Sequence, residues 1–99
     1  MKQMNLVGEN NKSKISVVSP VYNEEGSVKE LHERLVAVLE KERYPYEIIF
    51  VNDGSTDNTY REIKDLKPLK IISLQRNYGE TPALDVGIQE SEGDVIIFL

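Results

Sequence analysis

Two stretches concentrate the side chains that can do chemistry. PVYNEEGS (20–27) offers an aromatic ring at Tyr22, acceptors at Asn23, Glu24 and Glu25, and close backbone approach at Gly26. NDGSTDNT (52–59) offers Asp53 among hydroxyls and amides. A ring that can lie flat along a heterocycle and a carboxylate that accepts its ring N–H are the parts of a nucleoside grip. The carboxylate also discriminates: it pairs with the ring N–H of uracil or guanine, but not similarly with N1 of adenine, which is itself an acceptor. A third stretch, QRNYGETPAL (75–84), contributes Arg76, the one cation at a strand terminus and so the candidate to meet a diphosphate. Each stretch also has an ordinary alternative: glutamates favouring a helix start, an Asp-Gly turn with a hydroxyl cap, and a surface arginine paired with a carboxylate.

Position gives these residues their weight. Each stretch follows an apolar run too short for a helix, and the runs alternate with segments of helical period, the pattern of βαβ units around a mostly parallel sheet. ISVVS (15–19), EIIFV (47–51), KIISL (70–74) and DVIIFL (94–99) are the expected strands, with Pro20 closing the first where no ladder donor is needed. The first helix is expected to turn Val28, Leu31, Leu35, Val38 and Leu39 inward, to start on a Ser27–Glu30 capping box, and to leave His32 on its solvated face. A second, over 56–66, has Tyr60, Ile63 and Leu66 on its apolar side and stops before Pro68. The third is expected to take Thr81 as N-cap and Pro82 as its first residue, turn Ala83, Leu84, Gly87 and Ile88 to one side, and end at Gly93. Right-handed crossovers with helices on both faces favour the doubly wound order 3-2-1-4, a three-layer, Rossmann-like α/β arrangement. Ligands of such sheets sit outside the carboxyl ends of the strands where the winding reverses, here between strands one and four.

Size and composition bound the remaining possibilities. Residues 1–13 are polar and without period, and are expected to be a disordered leader to one small domain over 14–99. A chain of 99 residues buries roughly 60–65% of its unfolded surface, enough for one modest core. Cysteine is absent and histidine occurs once, which excludes disulfides, thiolate metal sites and multi-histidine cages, and fits a reducing cytoplasm. No stretch approaches the length of a membrane span or a signal-peptide core. Twelve basic against 17 acidic residues, a formal charge of −5, argue against nucleic acid as a partner, so an anionic ligand would need local help from a cation, a metal or a helix terminus. No G-x-G-x-x-G follows the first strand, and neither a Walker-type loop nor a G-x-S-x-G turn occurs, which leaves dinucleotide chemistry, ATP hydrolysis and serine-nucleophile chemistry without support.

Taken in order, KISVVSPVYNEEGSV, YEIIFVNDGSTDNT, QRNYGETPALDVGI and GDVIIFL resemble the amino-terminal half of family 2 glycosyltransferases of the GT-A fold, with the nearest likeness to transferases that act on polyprenyl or dolichyl phosphate. The resemblance covers 14–99. It implies that Pro20 and Tyr22 line the nucleoside site, that Glu24 approaches the ribose, and that Asp53 hydrogen-bonds the base, with Arg76 and Asn77 beside the pocket. It implies a UDP- or GDP-sugar as donor, a polyprenyl phosphate as a candidate acceptor, inversion at the anomeric carbon, and a parent attached to the cytoplasmic face of the membrane. In the family the fourth strand runs on into an Asp-x-Asp motif that holds Mg²⁺ or Mn²⁺; the chain stops at Leu99, so the expectation is a donor-binding fragment without metal ligands or catalytic base, inactive by itself. Two other functions fit the same alternation. One is a receiver-like phosphoacceptor with Asp53 as the modified residue, although the expected fifth strand and its lysine are missing. The other is self-association through the open edge and the apolar terminus VIIFL.

Overall fold

A computed structural model of the protein describes residues 13–99. The expected leader, 1–13, lies outside the described residues except for Ser13. Four strands, β1 (Ile15–Val21), β2 (Tyr46–Asn52), β3 (Lys70–Ser73) and β4 (Val95–Phe98), form one parallel sheet in the order β3-β2-β1-β4. Between them lie α1 (Val28–Glu42), α2 (Thr59–Ile63) and α3 (Glu80–Glu90), so the expected doubly wound α/β order is the observed one. β1 and β2 pair over seven positions each, from Ile15 opposite Tyr46 to Val21 opposite Asn52.

Strand side chains alternate between faces, which divides the core in two. Val17, Val21, Ile48 and Phe50 pack with Val28 and Leu39 of α1 and Ile63 of α2. Val18, Ile49 and Val51 pack on the opposite face with Ala83 of α3. Burying each such aliphatic or aromatic side chain contributes about 1.5–3 kcal/mol, and the two inner strands, covered on both faces, carry most of it. α3 lies unusually close: a methyl group added at Gly87 would run into the Val18 side chain, so glycine is required there for the helix to seat.

Helix details differ from the sequence expectation in five places. Val38 is 58% exposed and Val36 packs inward instead, because the buried positions Val28, His32 and Leu39 centre about 100° round the helix from Val38 and about 60° from Val36. His32 falls on that line and is buried, with Nε2 2.9 Å from the Pro68 carbonyl oxygen and its ring edge-on to Phe50. It therefore ties α1 to the segment after α2 rather than facing solvent. No capping box forms; Ser27 precedes α1, but its hydroxyl donates to the Glu24 carbonyl. α2 is shorter than 56–66 and exposes Tyr60, because residues 56–58 are held in loop contacts. α3 starts at Glu80, after Gly79, which places Thr81 and Pro82 inside its first turn.

At the amino-terminal rim Glu47 accepts from the Ser16 hydroxyl at 2.6 Å and from the Glu92 N–H at 2.6 Å, while Ser16 accepts from the Gly93 N–H. Burial works to raise the Glu47 carboxyl, but the hydrogen bonds from Glu92 and Ser16, with the charges of Lys14 and Lys70, outweigh it and hold the pKa below its ordinary value. A carboxylate with a depressed folded pKa adds stability that is complete above its unfolded pKa and is lost as pH falls through the folded one. Glu47→Gln is thus expected to be less stable than wild type at neutral pH, with the gap narrowing as pH falls through and below the ordinary glutamate range. Urea unfolding across that range checks it, and a gap independent of pH would contradict the assignment.

β4 forms one edge of the sheet, with Val95, Ile97, Phe98 and Leu99 exposed. Among the described residues no helix is long and apolar enough to cross a membrane.

Candidate functional site

The loops after β1 and β2 are laced together by side chain to backbone hydrogen bonds. From the first loop, the N–H of Asn23 donates to Ser55 Oγ at 2.9 Å, that of Glu24 to Thr59 Oγ1 at 2.8 Å, and that of Glu25 to Asp57 Oδ2 at 3.3 Å. The Gly26 N–H donates to both Glu62 carboxylate oxygens. The lacing is reciprocal: Asn23 Oδ1 accepts from the Thr56 N–H at 2.8 Å and Glu25 Oε1 from the Asn58 N–H at 3.2 Å. Asn23 adopts a left-handed conformation, φ 49°, which asparagine tolerates better than most residues. Burial works against the charged form of Asp57, but donors from the Thr59 hydroxyl, the Thr59 and Glu25 N–H groups and its own N–H prevail and lower its pKa.

The loop after β3 is anchored on Asp53. Its carboxylate accepts the Tyr78 N–H at Oδ1, 2.8 Å, and the Gly79 N–H at Oδ2, 3.0 Å, while its own N–H donates to the Val21 carbonyl. Gly54, with φ 73°, lies directly beneath the backbone of Arg76 and Asn77; a Cβ at this position would collide with both. Asn52 supports the turn by accepting the Ser55 N–H and donating to Ser73 Oγ. Asp53 therefore follows directly on β2 and clamps a neighbouring loop.

Between these loops, at the carboxyl ends of β1 and β2, opens a cleft of about 340 Å³. Its lining brings together Pro20, Tyr22, Glu24 and Asp53, four of the residues singled out in the sequence, with Asn77, Gly79 and Glu80. Tyr22 is 43% exposed and forms a wall, whereas Asp53 is 3% exposed and lies at the floor. Arg76 is not among the lining residues; its guanidinium stacks on the Tyr78 ring, 4.9 Å from the centroid. The walls come from β1, β2 and the segment entering α3, not from β4, because the chain leaving edge strand β3 must cross the rim to reach the opposite face. Glu80 escaped the sequence reading, although its place at the start of a helix after a strand end was the signal for it. A larger cleft of about 700 Å³, bounded by Leu39, Arg43 and Tyr46, opens at the amino-terminal end of the sheet, away from the edge where such folds bind ligands. Among the described residues no group of three or more His, Cys, Asp or Glu side chains could hold a metal ion, so no metal step is drawn from them. Nothing supports the phosphoacceptor alternative: Asp53 is buried and both its oxygens already accept backbone N–H groups.

Comparison with known proteins agrees with this architecture. An undecaprenyl-phosphate 4-deoxy-4-formamido-L-arabinose transferase of Proteus mirabilis (strain HI4320) is 38% identical over 92 residues, covering 88% of this chain and 28% of its own. The crystal structure of S. aureus TarS 1-349 in complex with UDP-GlcNAc is 30% identical and superimposes with a TM-score of 0.75 over 87% of this chain and 26% of that one. The mannosyltransferase PcManGT from Pyrobaculum calidifontis, in complex with GDP-Man and Mn²⁺, shares the fold at 22% identity, with a TM-score of 0.67 over 86% of this chain and 26% of its own. The chain spans just over a quarter of the length of the curated relatives it matches. The model of the family described as Glycosyl transferase family 2 matches residues 16–99, nearly every described residue, and the chain belongs to that family.

Proposed function

We propose that the cleft between Tyr22 and Asp53 holds the nucleoside of a UDP- or GDP-linked sugar, and that residues 14–99 are the donor-binding part of an inverting sugar transferase. The observation that carries this reading is the convergence of an exposed aromatic wall and a carboxylate floor in one cleft at the carboxyl ends of β1 and β2. The Asp53 oxygens each accept one backbone N–H, and a carboxylate has room for about four such bonds, so acceptor capacity remains for a base. The bound UDP-GlcNAc in the similar TarS structure supports a uridine nucleotide, and the relatives named as undecaprenyl-phosphate transferases support a polyprenyl phosphate as acceptor. Glu24 is assigned to the ribose. Arg76 enters as a cation beside the cleft rather than in it, able to meet a diphosphate on leaving the Tyr78 face. The parent enzyme is proposed to use Mg²⁺ or Mn²⁺ with ligands outside the described residues, and the 99-residue chain to bind nucleotide without transferring sugar.

Calorimetric titration of the chain with UDP, GDP and ADP tests the reading. The expected result is weak binding of UDP or GDP, with Kd on the order of 0.1–1 mM, at least tenfold tighter than ADP and lost in Tyr22→Ala. Equal binding of ADP would remove the role given to Asp53, and undiminished binding by Tyr22→Ala would remove the cleft.

A further inference from the structure

The five backbone N–H groups from Tyr22 to Gly26 can be followed one by one, and none is left for a ligand. Tyr22 donates to Glu24 Oε2, and the next four donate in turn to Ser55, Thr59, Asp57 and Glu62. The following two, of Ser27 and Val28, donate to the Glu24 carbonyl. A strand-to-helix loop with open N–H groups would be a natural anion cradle. Here side chains from the α2 side have filled it, and two of those side chains are carboxylates that would repel an anion. What the loop presents to the cleft is its side chains, the Tyr22 ring and the Glu24 carboxylate.

We propose that the acceptors of residues 55–62, centred on Thr59, are positioning residues that hold the Tyr22–Glu24 wall in its nucleotide-binding shape. The proposal rests on the nucleotide reading of the cleft. Thr59 is fully buried, and its hydroxyl does two things at once: it accepts the Glu24 N–H and donates to Asp57 Oδ1. Through that second bond it orients the carboxylate whose other oxygen accepts the Glu25 N–H. One hydroxyl thus sets two consecutive residues of a loop lying 35 positions earlier in the chain. The loop also needs this outside hold because Asn23 has a left-handed φ of 49°, a conformation less populated in a free chain.

Thr59→Val removes the hydroxyl with almost no change of shape, and Thr59→Ser retains it. Two measurements on the 99-residue chain separate the outcomes: amide hydrogen exchange at Glu24 and Glu25, and the Kd for UDP by calorimetry, both well below the unfolding temperature. Thr59→Val is expected to speed exchange at both amides at least tenfold, leave the Ile48–Val51 amides protected, and weaken UDP binding roughly tenfold. Thr59→Ser should recover both within about threefold of wild type. Asp57→Ala, at a position that is itself only half-buried, repeats the test if Thr59→Val does not fold. Unchanged exchange in the valine variant would overturn the proposal, and so would faster exchange with unchanged UDP affinity. A wild-type chain that binds neither UDP nor GDP would overturn the nucleotide reading and the binding role drawn from it, while the exchange measurement would still decide whether Thr59 orders the loop.

Discussion

Asp53→Ala is expected to abolish measurable nucleotide binding and to lower the unfolding free energy by about 3 kcal/mol, the largest loss from any single side chain at the cleft. The substitution removes the buried carboxylate that accepts the Tyr78 and Gly79 N–H groups, and each hydrogen bond to a charged group is worth about 1.5–3 kcal/mol. It also frees the segment that closes the cleft, so binding should suffer twice, through loss of the acceptor proposed for the base and through the displaced wall of Asn77, Gly79 and Glu80. Asp53→Asn retains one oxygen but turns an NH₂ group toward a backbone donor, and should fall between alanine and wild type. Urea unfolding and UDP titration on the three proteins measure both effects. An Asp53→Ala chain with an unchanged urea midpoint would show that the loop does not depend on this carboxylate.

Gly54→Ala is the second large effect, and its cause is the backbone rather than a side chain. The left-handed φ of 73° costs an L-residue about 1–2 kcal/mol, and the added methyl meets the main chain of Arg76 and Asn77, which cannot rotate aside as a side chain would. Overpacking of this kind adds about 1–3 kcal/mol, for a sum near 4 kcal/mol, which would leave a domain of this size scarcely folded. Gly26 supplies the control. Its φ of 89° is equally unfavourable for alanine, yet no atom beyond its chain neighbours lies within 4 Å of where a Cβ would stand, so Gly26→Ala should show the conformational cost alone, about 1–2 kcal/mol. Equal destabilisation of the two variants in thermal unfolding would mean that the approach of the 76–77 backbone is not what demands glycine at position 54.

Much of this could be read before the fold was seen, and the misses share a cause. The Ile and Val runs and the spacing of Val28, Leu35 and Leu39 are local patterns, so the strands, the first helix and the sheet order followed from them. The same spacing sets His32 within about 40° of Val28 and so inside, although its residue type suits solvent, and a face that includes His32 turns Val38 outward. The length of α2 and the start of α3 were a different matter. Residues 56–58 have turn and cap chemistry that suits a helix start, but their N–H groups and side chains find partners in 23–25 instead. Likewise Gly79 ends up before the helix because its N–H is held by Asp53, a partner 26 positions away.

The sequence by itself therefore determined which segments become strands and helices, their order in the sheet, and the four residues Pro20, Tyr22, Glu24 and Asp53 that meet at its carboxyl edge. Only the tertiary structure decided what each polar group in those loops is bonded to: that Asp53 clamps the loop after β3, that Arg76 turns away onto Tyr78, and that Thr59 and its neighbours hold the wall bearing Tyr22. The physical reason is range. Periodicity and turn chemistry act over a few residues along the chain, whereas a hydrogen bond between two loops depends on a distance through space that no local pattern records.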